Sequence, residues 1–499
     1  MSNPVPSAPV PGSGWQRRTL LKTGVAAAAV AGGPFAGFVN SASAAVFTAD
    51  PRASLVPVRD KRDGVVRLRL PEGFQYRSFH DTERPVTLHD GTVLPGRHDG
   101  MGAFRRGPSG DAVLVRNHEV SSSKGAFGPA GAPRYDSAAG GGTTSVLVTK
   151  HGKVLDSWTS LSGTLMNCSG GQMPWGAWVT CEETVNGPDV GPDFANSNNA
   201  ALAKPHGYVF EVPVDKEAAR AHRPQPLTAA GRFAHEAVSW DPVEGRLYMT
   251  EDDFAFASGF YRFTPAVRPE EAGHLVNEGI LEMLAVKGEP NKHLEASYAP
   301  GTTFDVEWVT IDTPDPDFSE RETLPTNNEA LTFVASQGWD KGAAYFSRTE
   351  GQAYDDGVVF FTSTQGGGAA EEGSQGDSKA GFGRGHGQVW AYDTRSRKLT
   401  LVYQSPGPEV LDFPDNVTTR KGTVILCEDG KNDNYVRALR PDGTLVNVAH
   451  NVLYENTDRD RTDDEFAGST FAGNTLFVNI QAGNGLTFAI WGPWQTLGF

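Results

Sequence analysis

An all-β fold, a six-bladed β-propeller with loop and short-helix insertions, is what this sequence predicts, on three observations. Apolar runs of four to six β-formers bounded by Gly, Asp, Asn and Pro recur along the chain, while helical periodicity is nearly absent and is best around Val214 to His222. The runs come in about six pairs, unevenly spaced by insertions, as the middle strands of four-stranded blades would be. The first run of a pair tends to end in acidic or amide residues, and the second starts after glycine or a polar turn. A large β-sandwich gives similar strand counts and stands as the alternative architecture.

At the N-terminus, Arg17-Arg18 precedes Thr19-Leu20-Leu21-Lys22 and an alanine-rich apolar stretch from Val25 to Val39. This resembles a twin-arginine export signal, with Ala42-Ser43-Ala44 as the small-residue cleavage site. Residues 1–44 are therefore expected to be removed, leaving 45–499 as a single domain. No stable membrane span is expected, because the apolar run is shorter than the roughly 20 residues a spanning helix needs. Such a route carries chains already folded, so the expected location is periplasmic or extracellular and the export machinery is an expected partner.

The paired runs follow in order. They are Ala112–Glu119 with Thr144–Val148, Ala177–Glu183 with Gly207–Val212, and Arg246–Asp253 with Gly259–Phe263. Val358–Thr364 pairs with Gln388–Asp393, Thr423–Asp429 with Asn434–Leu439, and Thr475–Ile480 with Leu486–Ile490. In a propeller, equivalent strand ends converge at one end of the central channel, which would gather Glu119, Glu183, Asp252, Glu428 and their neighbours there.

The net charge of -16 and the lack of a basic stripe argue against nucleic-acid binding. Excess carboxylate can be neutralised by bound cations, or can simply solvate the surface. Three cysteines, Cys168, Cys181 and Cys427, make no disulfide framework, and at least one thiol must be free or metal-bound. Cys427 lies in the apolar run Val424-Ile425-Leu426-Cys427 and reads as a buried inert side chain. Any single Asp or Glu is more often a solvated side chain than a ligand. An acidic residue after strand upon strand is different, because crowded like charges need cations between them.

The segment from Asn167 to Glu183 combines a thiol, a Gly-Gly pair that frees the backbone to approach a ligand, and carboxylates at a strand end. Further acidic groups in turn-like contexts occur in Gly231–Glu236, Phe346–Gly351, Phe413–Asn416 and Asp463–Gly468. Arg348 and Glu350, two apart, would share a strand face, either as a phosphate-binding pair or as a plain surface ion pair. There is no G-x-S-x-G elbow, no H-E-x-x-H and no P-loop, which leaves metal-assisted attack on a phosphoryl centre as the better-fitting chemistry.

Taken together, the leader, Arg116-Asn117-His118-Glu119, the long segment from Asn167, Arg232–Glu236, Tyr248–Asp253, Arg348–Gly351, Phe413–Asn416 and Cys427–Gly430 resemble PhoX-type alkaline phosphatases over nearly the whole mature chain. The resemblance implies a secreted six-bladed propeller hydrolysing phosphomonoesters through two ferric ions and several calcium ions, with a cysteine thiolate among the iron ligands. By that resemblance Cys168 is the preferred thiolate, with Cys181 open as the alternative. Glu183, Glu236 and Glu350 are the leading carboxylate ligands, with Glu119, Asp252, Asp415 and Glu428 behind them. Arg348 and Asn117 would hold phosphate oxygens, and a monomer acting on a small phosphomonoester is expected. Met173 and Ala177 depart from the expected polar character, and the glycine-rich insert at 366–387 matches no family role and reads as a surface loop. A calcium-dependent propeller lactonase or phosphotriesterase, and a non-catalytic binding propeller braced by calcium, are the alternative readings.

Overall fold

A computed structural model describes Phe38, residues 54–453 and residues 460–499. Apart from Phe38, whose ring packs 5.7 Å from that of Phe360, the expected leader lies outside the described residues. Among the described residues no helix is long and apolar enough to cross a membrane.

Three strands come first, β1 (Leu55–Arg59), β2 (Val66–Pro71) and β3 (Gln75–Phe79). The first blade is β4 (His98–Arg106), β5 (Asp111–His118), β6 (Gly141–Val148) and β7 (Val154–Thr164). The second is β8 (Asn167–Met173), β9 (Ala177–Glu182) and β10 (Val209–Pro213). The third is β11 (His235–Asp241), β12 (Arg246–Glu251), β13 (Phe260–Pro265) and β14 (Gly279–Val286), followed by the linking strand β15 (Thr303–Thr310). The fourth is β16 (Thr349–Asp355), β17 (Val358–Ser363), β18 (Gln388–Asp393) and β19 (Lys398–Gln404). The fifth is β20 (Pro414–Arg420), β21 (Thr423–Glu428), β22 (Tyr435–Leu439) and β23 (Leu445–Asn451). The sixth is β24 (Phe466–Ala472), β25 (Thr475–Ile480) and β26 (Leu486–Trp491), completed by β3 from the other end of the chain.

The inner strands β4, β8, β11, β16, β20 and β24 pack one against the next, and β24 returns onto β4, so the ring is closed and a sandwich is excluded. The run pairs read from the sequence are the second and third strands of the blades. Because β15 pairs with both β14 and β19, blades three and four share one nine-stranded sheet. Closure rests on β3 running antiparallel to β26 from Gln75 opposite Trp491 to Phe79 opposite Thr487. Tyr76 of β3 is fully buried, its ring edge-on to Phe488 at 5.6 Å, and its hydroxyl accepts from Arg67 N at 2.8 Å. Burying an aromatic side chain of this kind contributes roughly 2–3 kcal/mol.

Inner strands meet closely near the axis, and glycine makes that possible. A Cβ on Gly171 would lie 2.0 Å from the Val238 carbonyl oxygen of the neighbouring blade. The Gly170-Gly171 pair, expected to let the backbone approach a ligand, lies within β8 and serves this blade-to-blade approach. The helix Lys216–Ala221, capped by Asp215, matches the one helical stretch the sequence showed. A second pair, Asn327–Leu331 with a Thr326/Glu329 capping box and Phe333–Asp340, was not anticipated, since each helix is too short to show periodicity.

One buried knot ties the loop before β10 to the first blade. His206 Nδ1 lies 2.6 Å from Glu182 Oε1, and Nε2 lies 3.5 Å from Asp136 Oδ2. Asp136 also accepts from the backbone N–H groups of Ala138, Ala203 and Lys204. Burial opposes its ionisation, but the His206 bond and these N–H groups override it and hold the carboxyl down to about 2. A depressed folded-state value contributes stability that is present above the usual carboxylate range and lost as pH falls toward 2, about 2 kcal/mol in all. Urea unfolding should therefore separate wild type from Asp136→Asn at pH 6, with the gap narrowing as the pH falls below 4.

Candidate metal centre

Every inner strand shifts register by one residue near its start. The residues skipped are Asp99-Gly100 in β4, Cys168-Ser169 in β8, Glu236-Ala237 in β11, Glu350-Gly351 in β16, Asp415-Asn416 in β20 and Gly468-Ser469 in β24. A β-bulge breaks the strict alternation of side chains and re-aims the first residue. The re-aimed positions around the ring are thus Asp, Cys, Glu, Glu, Asp and Gly. In the sixth blade a donor is excluded, because Gly468 has φ +60° and a Cβ there would fall 2.3 Å from the Asp99 carbonyl oxygen. Glu465, just before β24, supplies that blade's carboxylate.

A second repeated position is the residue after each second strand, namely Glu119, Glu183, Asp252, Thr364, Asp429 and Gln481. Donors from the two positions meet. Ligand atoms of Cys168, Glu183 and Glu236 lie within 4.8 Å of one another, as do those of Glu236, Glu350 and Asp415, and those of Asp415, Asp429 and Glu465. The three groups share Glu236 and Asp415 and so form one chain of donors across the channel mouth.

The electrostatics follow from crowding. Burial, then Glu236 and Glu183, push the Cys168 thiol well up. Burial and neighbouring carboxylates likewise raise Glu183, Glu236, Glu350, Asp415 and Glu465 well above the usual carboxylate range. Asp99 is pushed up to about 8 by burial and Glu119. Such a site favours cations that draw the protons off. A thiolate with carboxylates at one end suits a transition metal, while the all-carboxylate groups suit a hard ion such as calcium. The residues present therefore fit a mixed metal cluster.

Two arginines face this charge. Arg348, at the unusual φ of 43°, donates to Asp252 Oδ2 at 2.7 Å and lies 3.0 Å from Glu350 Oε1. Burial opposes ionisation of Asp252, yet the Arg348 charge and hydrogen bond hold it below its ordinary value. Arg97, at φ 41°, occupies the matching position before β4 and is ion-paired with Glu119. A left-handed non-glycine residue costs on the order of 1 kcal/mol, and here it directs a guanidinium at the channel mouth.

The structure brings together Cys168, Glu183, Glu236, Glu350 and Asp415 as donors, with Asp252 and Glu119 beside them as arginine partners. It does not bring Glu428 in. That side chain accepts from Arg437 Nε at 2.7 Å and from the N–H groups of Asp412 and Tyr435, and the next residue, Asp429, is the donor instead. Asn117 is also spent elsewhere. Fully buried, its amide donates to the Cys168 and Ser169 carbonyls at 2.9 and 2.7 Å and accepts from Trp178 Nε1 and Thr180 Oγ1, each at 2.9 Å. It braces the bulge that aims Cys168 and has no capacity left for a phosphate oxygen. Cys181 shares an apolar cluster with Cys168, Val209 and Phe233, but of the two it is Cys168 whose sulfur lies within 4.8 Å of carboxylate oxygens, and Cys427 sits in another apolar cluster with Ile425 and Val436. Asp99 and Arg97 were missed, while Asp429 and Glu465 lay in segments that stood out in the sequence without being chosen themselves.

Residues 54–158 and 152–484 match the family described as alkaline phosphatase PhoX. The chain belongs to the PhoX alkaline phosphatase family. Among curated proteins none matches. The solved structure of Pseudomonas fluorescens PhoX in complex with vanadate, a transition state analogue, is 16% identical, with a TM-score of 0.61 over 88% of this chain and 98% of that one, a likeness of fold. An inactive virginiamycin B lyase from Staphylococcus aureus with quinupristin is more distant, at 10% identity and a TM-score of 0.36, covering 83% of this chain and 99% of that one. This PhoX-family chain is thus a phosphatase by family and a propeller by structure.

If Asn117 braces the Cys168 bulge, Asn117→Ala strands several buried polar partners and should cost about 3 kcal/mol of stability. A lowered melting temperature checks this. An unchanged melting temperature with a raised KM alone would return Asn117 to the phosphate-binding role.

Proposed function

We propose that this chain is an exported phosphomonoester hydrolase that works through an iron and calcium cluster. The observation that carries the reading is the unbroken chain of three donor groups, thiolate at one end, beside the guanidinium of Arg348. Cys168, Glu183 and Glu236 would hold iron, and Glu350, Asp415, Asp429 and Glu465 would share the remaining ions, calcium among them. When bound, these ions neutralise phosphoryl oxygen charge, activate the attacking oxygen and take up charge on the leaving group.

The chain's own contribution is orientation. Asp252 and Glu350 clamp Arg348 from two sides, so its planar fork is fixed before substrate arrives and loses little freedom on binding a phosphoryl group. Its side chain keeps 18% of its exposure, enough for an ester to reach it from the channel mouth. Arg97 approaches from another blade and gives the anion a second cationic wall. The bulges keep the donors on rigid inner strands, and no side-chain nucleophile is needed. The twin-arginine-like leader supports export, and the PhoX membership supports release of inorganic phosphate from phosphomonoesters.

Purified protein should contain both iron and calcium, and chelation should abolish hydrolysis of p-nitrophenyl phosphate. Cys168→Ala should lose iron, while full activity in metal-free protein would overturn the proposal. Arg348→Ala should lower kcat/KM about 100-fold with metal content unchanged, the scale expected for removing a preorganised charge from the reacting centre.

A further inference from the structure

Each blade carries a third repeated position at the channel mouth, the residue immediately before its inner strand. These residues are Arg97, Met166, Ala234, Arg348, Phe413 and Glu465. In all six the carbonyl accepts from the N–H of the residue that follows the second strand of the same blade. Arg97 accepts from Glu119 at 3.1 Å, Met166 from Glu183 at 3.0 Å and Ala234 from Asp252 at 3.1 Å. Arg348 accepts from Thr364 at 3.0 Å, Phe413 from Asp429 at 2.9 Å and Glu465 from Gln481 at 3.1 Å. Six equivalent bonds set these residues on one ring around the axis, so the direction of one side chain bears on the others.

Three of the side chains show where the position points. Arg348 pairs with Asp252 and Glu350, Arg97 pairs with Glu119, and the Glu465 carboxylate lies within 4.8 Å of those of Asp415 and Asp429. Phe413 stands between Arg348 of the fourth blade and Glu465 of the sixth. Its φ of 47° matches the 43° of Arg348, so its side chain leaves the backbone in the same sense. A bulky residue in the left-handed region persists only where its surroundings enforce it, and such strain collects at binding and catalytic sites. Phe413 is partly exposed and, among the described residues, stands outside the apolar clusters of the blades. It is an aromatic ring at the mouth of the donor chain that core packing does not explain.

His386 broadens this surface. The insert at 366–387 joins β17 to β18 and leaves from Thr364, whose hydroxyl donates to the Pro414 carbonyl at 2.8 Å. Its neck is pinned by Gly385 N donating to the Gln365 carbonyl at 2.9 Å and Gly387 N to the Gly366 carbonyl at 3.1 Å. The returning chain sets His386 against the fifth blade, where its carbonyl accepts from Phe413 N at 3.1 Å. The imidazole is tilted only 24° from the Phe413 ring, with centroids 6.2 Å apart, and its Nδ1 lies 3.1 Å from Asp412 Oδ1. The His386 side chain is 43% exposed. Both rings are thus fixed before a ligand arrives, Phe413 by its backbone and His386 by Asp412.

We infer that Phe413 and His386 form a stacking platform for the leaving group, and that the site favours phosphomonoesters carrying a planar aromatic ring, a phenol or a nucleobase. The inference rests on reading the donor chain as the phosphate-processing centre. With the phosphoryl group at Arg348, the leaving group has two neighbouring blades to turn toward. On the third-blade side the equivalent residue is Ala234, buried and too short to hold a ligand. The fifth-blade side offers the Phe413 ring, and a planar arene or base stacks on it through its π-face whatever its substituents.

The test uses the metal-loaded full protein with phenyl phosphate, AMP and glucose 6-phosphate. Phe413→Leu keeps the apolar bulk and removes the aromatic face. It should raise KM for a ring-bearing ester about tenfold relative to that for glucose 6-phosphate, with iron and calcium content unchanged. His386→Ala lies outside the inner strands and should move the same ratio in the same direction by less, which decides the matter should Phe413→Leu lose metal. A shift confined to AMP identifies the nucleobase as the stacked ring, and a shift that includes phenyl phosphate identifies a ring joined to the ester oxygen; both support the platform. Saturation-transfer NMR reads binding without turnover: the alcohol of the favoured ester, phenol or adenosine, should receive saturation from wild type and not from Phe413→Leu. A KM ratio that neither variant moves, or an equal rise for all three esters, would overturn the platform while leaving the phosphatase reading intact. Wild type inert toward all three esters would remove that reading, and the leaving-group assignment with it.

Discussion

Carboxylates from several blades cannot all be ionised at one end of a channel unless positive charge stands between them, and this fold compels them to meet. Two unit charges 4 Å apart repel by about 4 kcal/mol at the effective dielectric of a protein surface. A whole domain is stable by only about 5–15 kcal/mol. Seven acidic or thiol donors stand within the three overlapping groups, so their mutual repulsion would rival the stability of the domain. Arg348 and Arg97 offset part of it, yet both are already paired with Asp252, Glu350 and Glu119. The remainder must be met by retained protons, the direction in which burial and neighbouring charge push Glu236 and Asp415, or by cations that replace them.

The same acidic residues divide into two kinds by strand parity. At the ends of three second strands stand the doublets Glu182-Glu183, Glu251-Asp252 and Glu428-Asp429. Adjacent strand residues face opposite ways. The first member turns outward to fasten the next strand: Glu182 accepts from Gly207 N, Glu251 from Gly259 N and the Tyr261 hydroxyl, and Glu428 from Tyr435 N. The second member faces the channel. Construction and chemistry are thus built from neighbouring residues of one type, and only the parity of the strand tells them apart.

That parity explains what could be read without coordinates. The six strand pairs were legible because apolar runs bounded by turn residues are a local pattern, and so were the acidic strand ends. Choosing Glu428 over Asp429 missed by one residue, since a strand's phase relative to the channel is set by its neighbours in space. Segments around Asn167, His235, Glu350, Asp415 and Glu465 stood out by composition, but their common identity as bulged starts of inner strands did not. A bulge is one extra residue opposite another strand and leaves no mark in a single strand's pattern. Arg97-His98-Asp99-Gly100, equally bulged, repeats the arginine, acid and glycine order of Arg348-Thr349-Glu350-Gly351, a trace that went unread. Asn117 was misjudged for a related reason, because a polar residue at a strand end looks the same whether it meets solvent, a ligand or the carbonyls of the next blade.

The donor chain also has no existence in any part of the molecule. Cys168 and Glu183 come from the second blade, Glu236 from the third, Glu350 from the fourth, Asp415 and Asp429 from the fifth and Glu465 from the start of the sixth. The sixth blade is complete only when β3, some 400 residues earlier in the chain, lies down beside β26. The contact of β24 with β4 then closes the ring, and Asn479 donating to the Asp99 carbonyl seats the last blade against the first bulge. Closure of the ring and assembly of the site are therefore one event, and the same cations that would make the crowded carboxylates tolerable would also stabilise the closed ring over the open one.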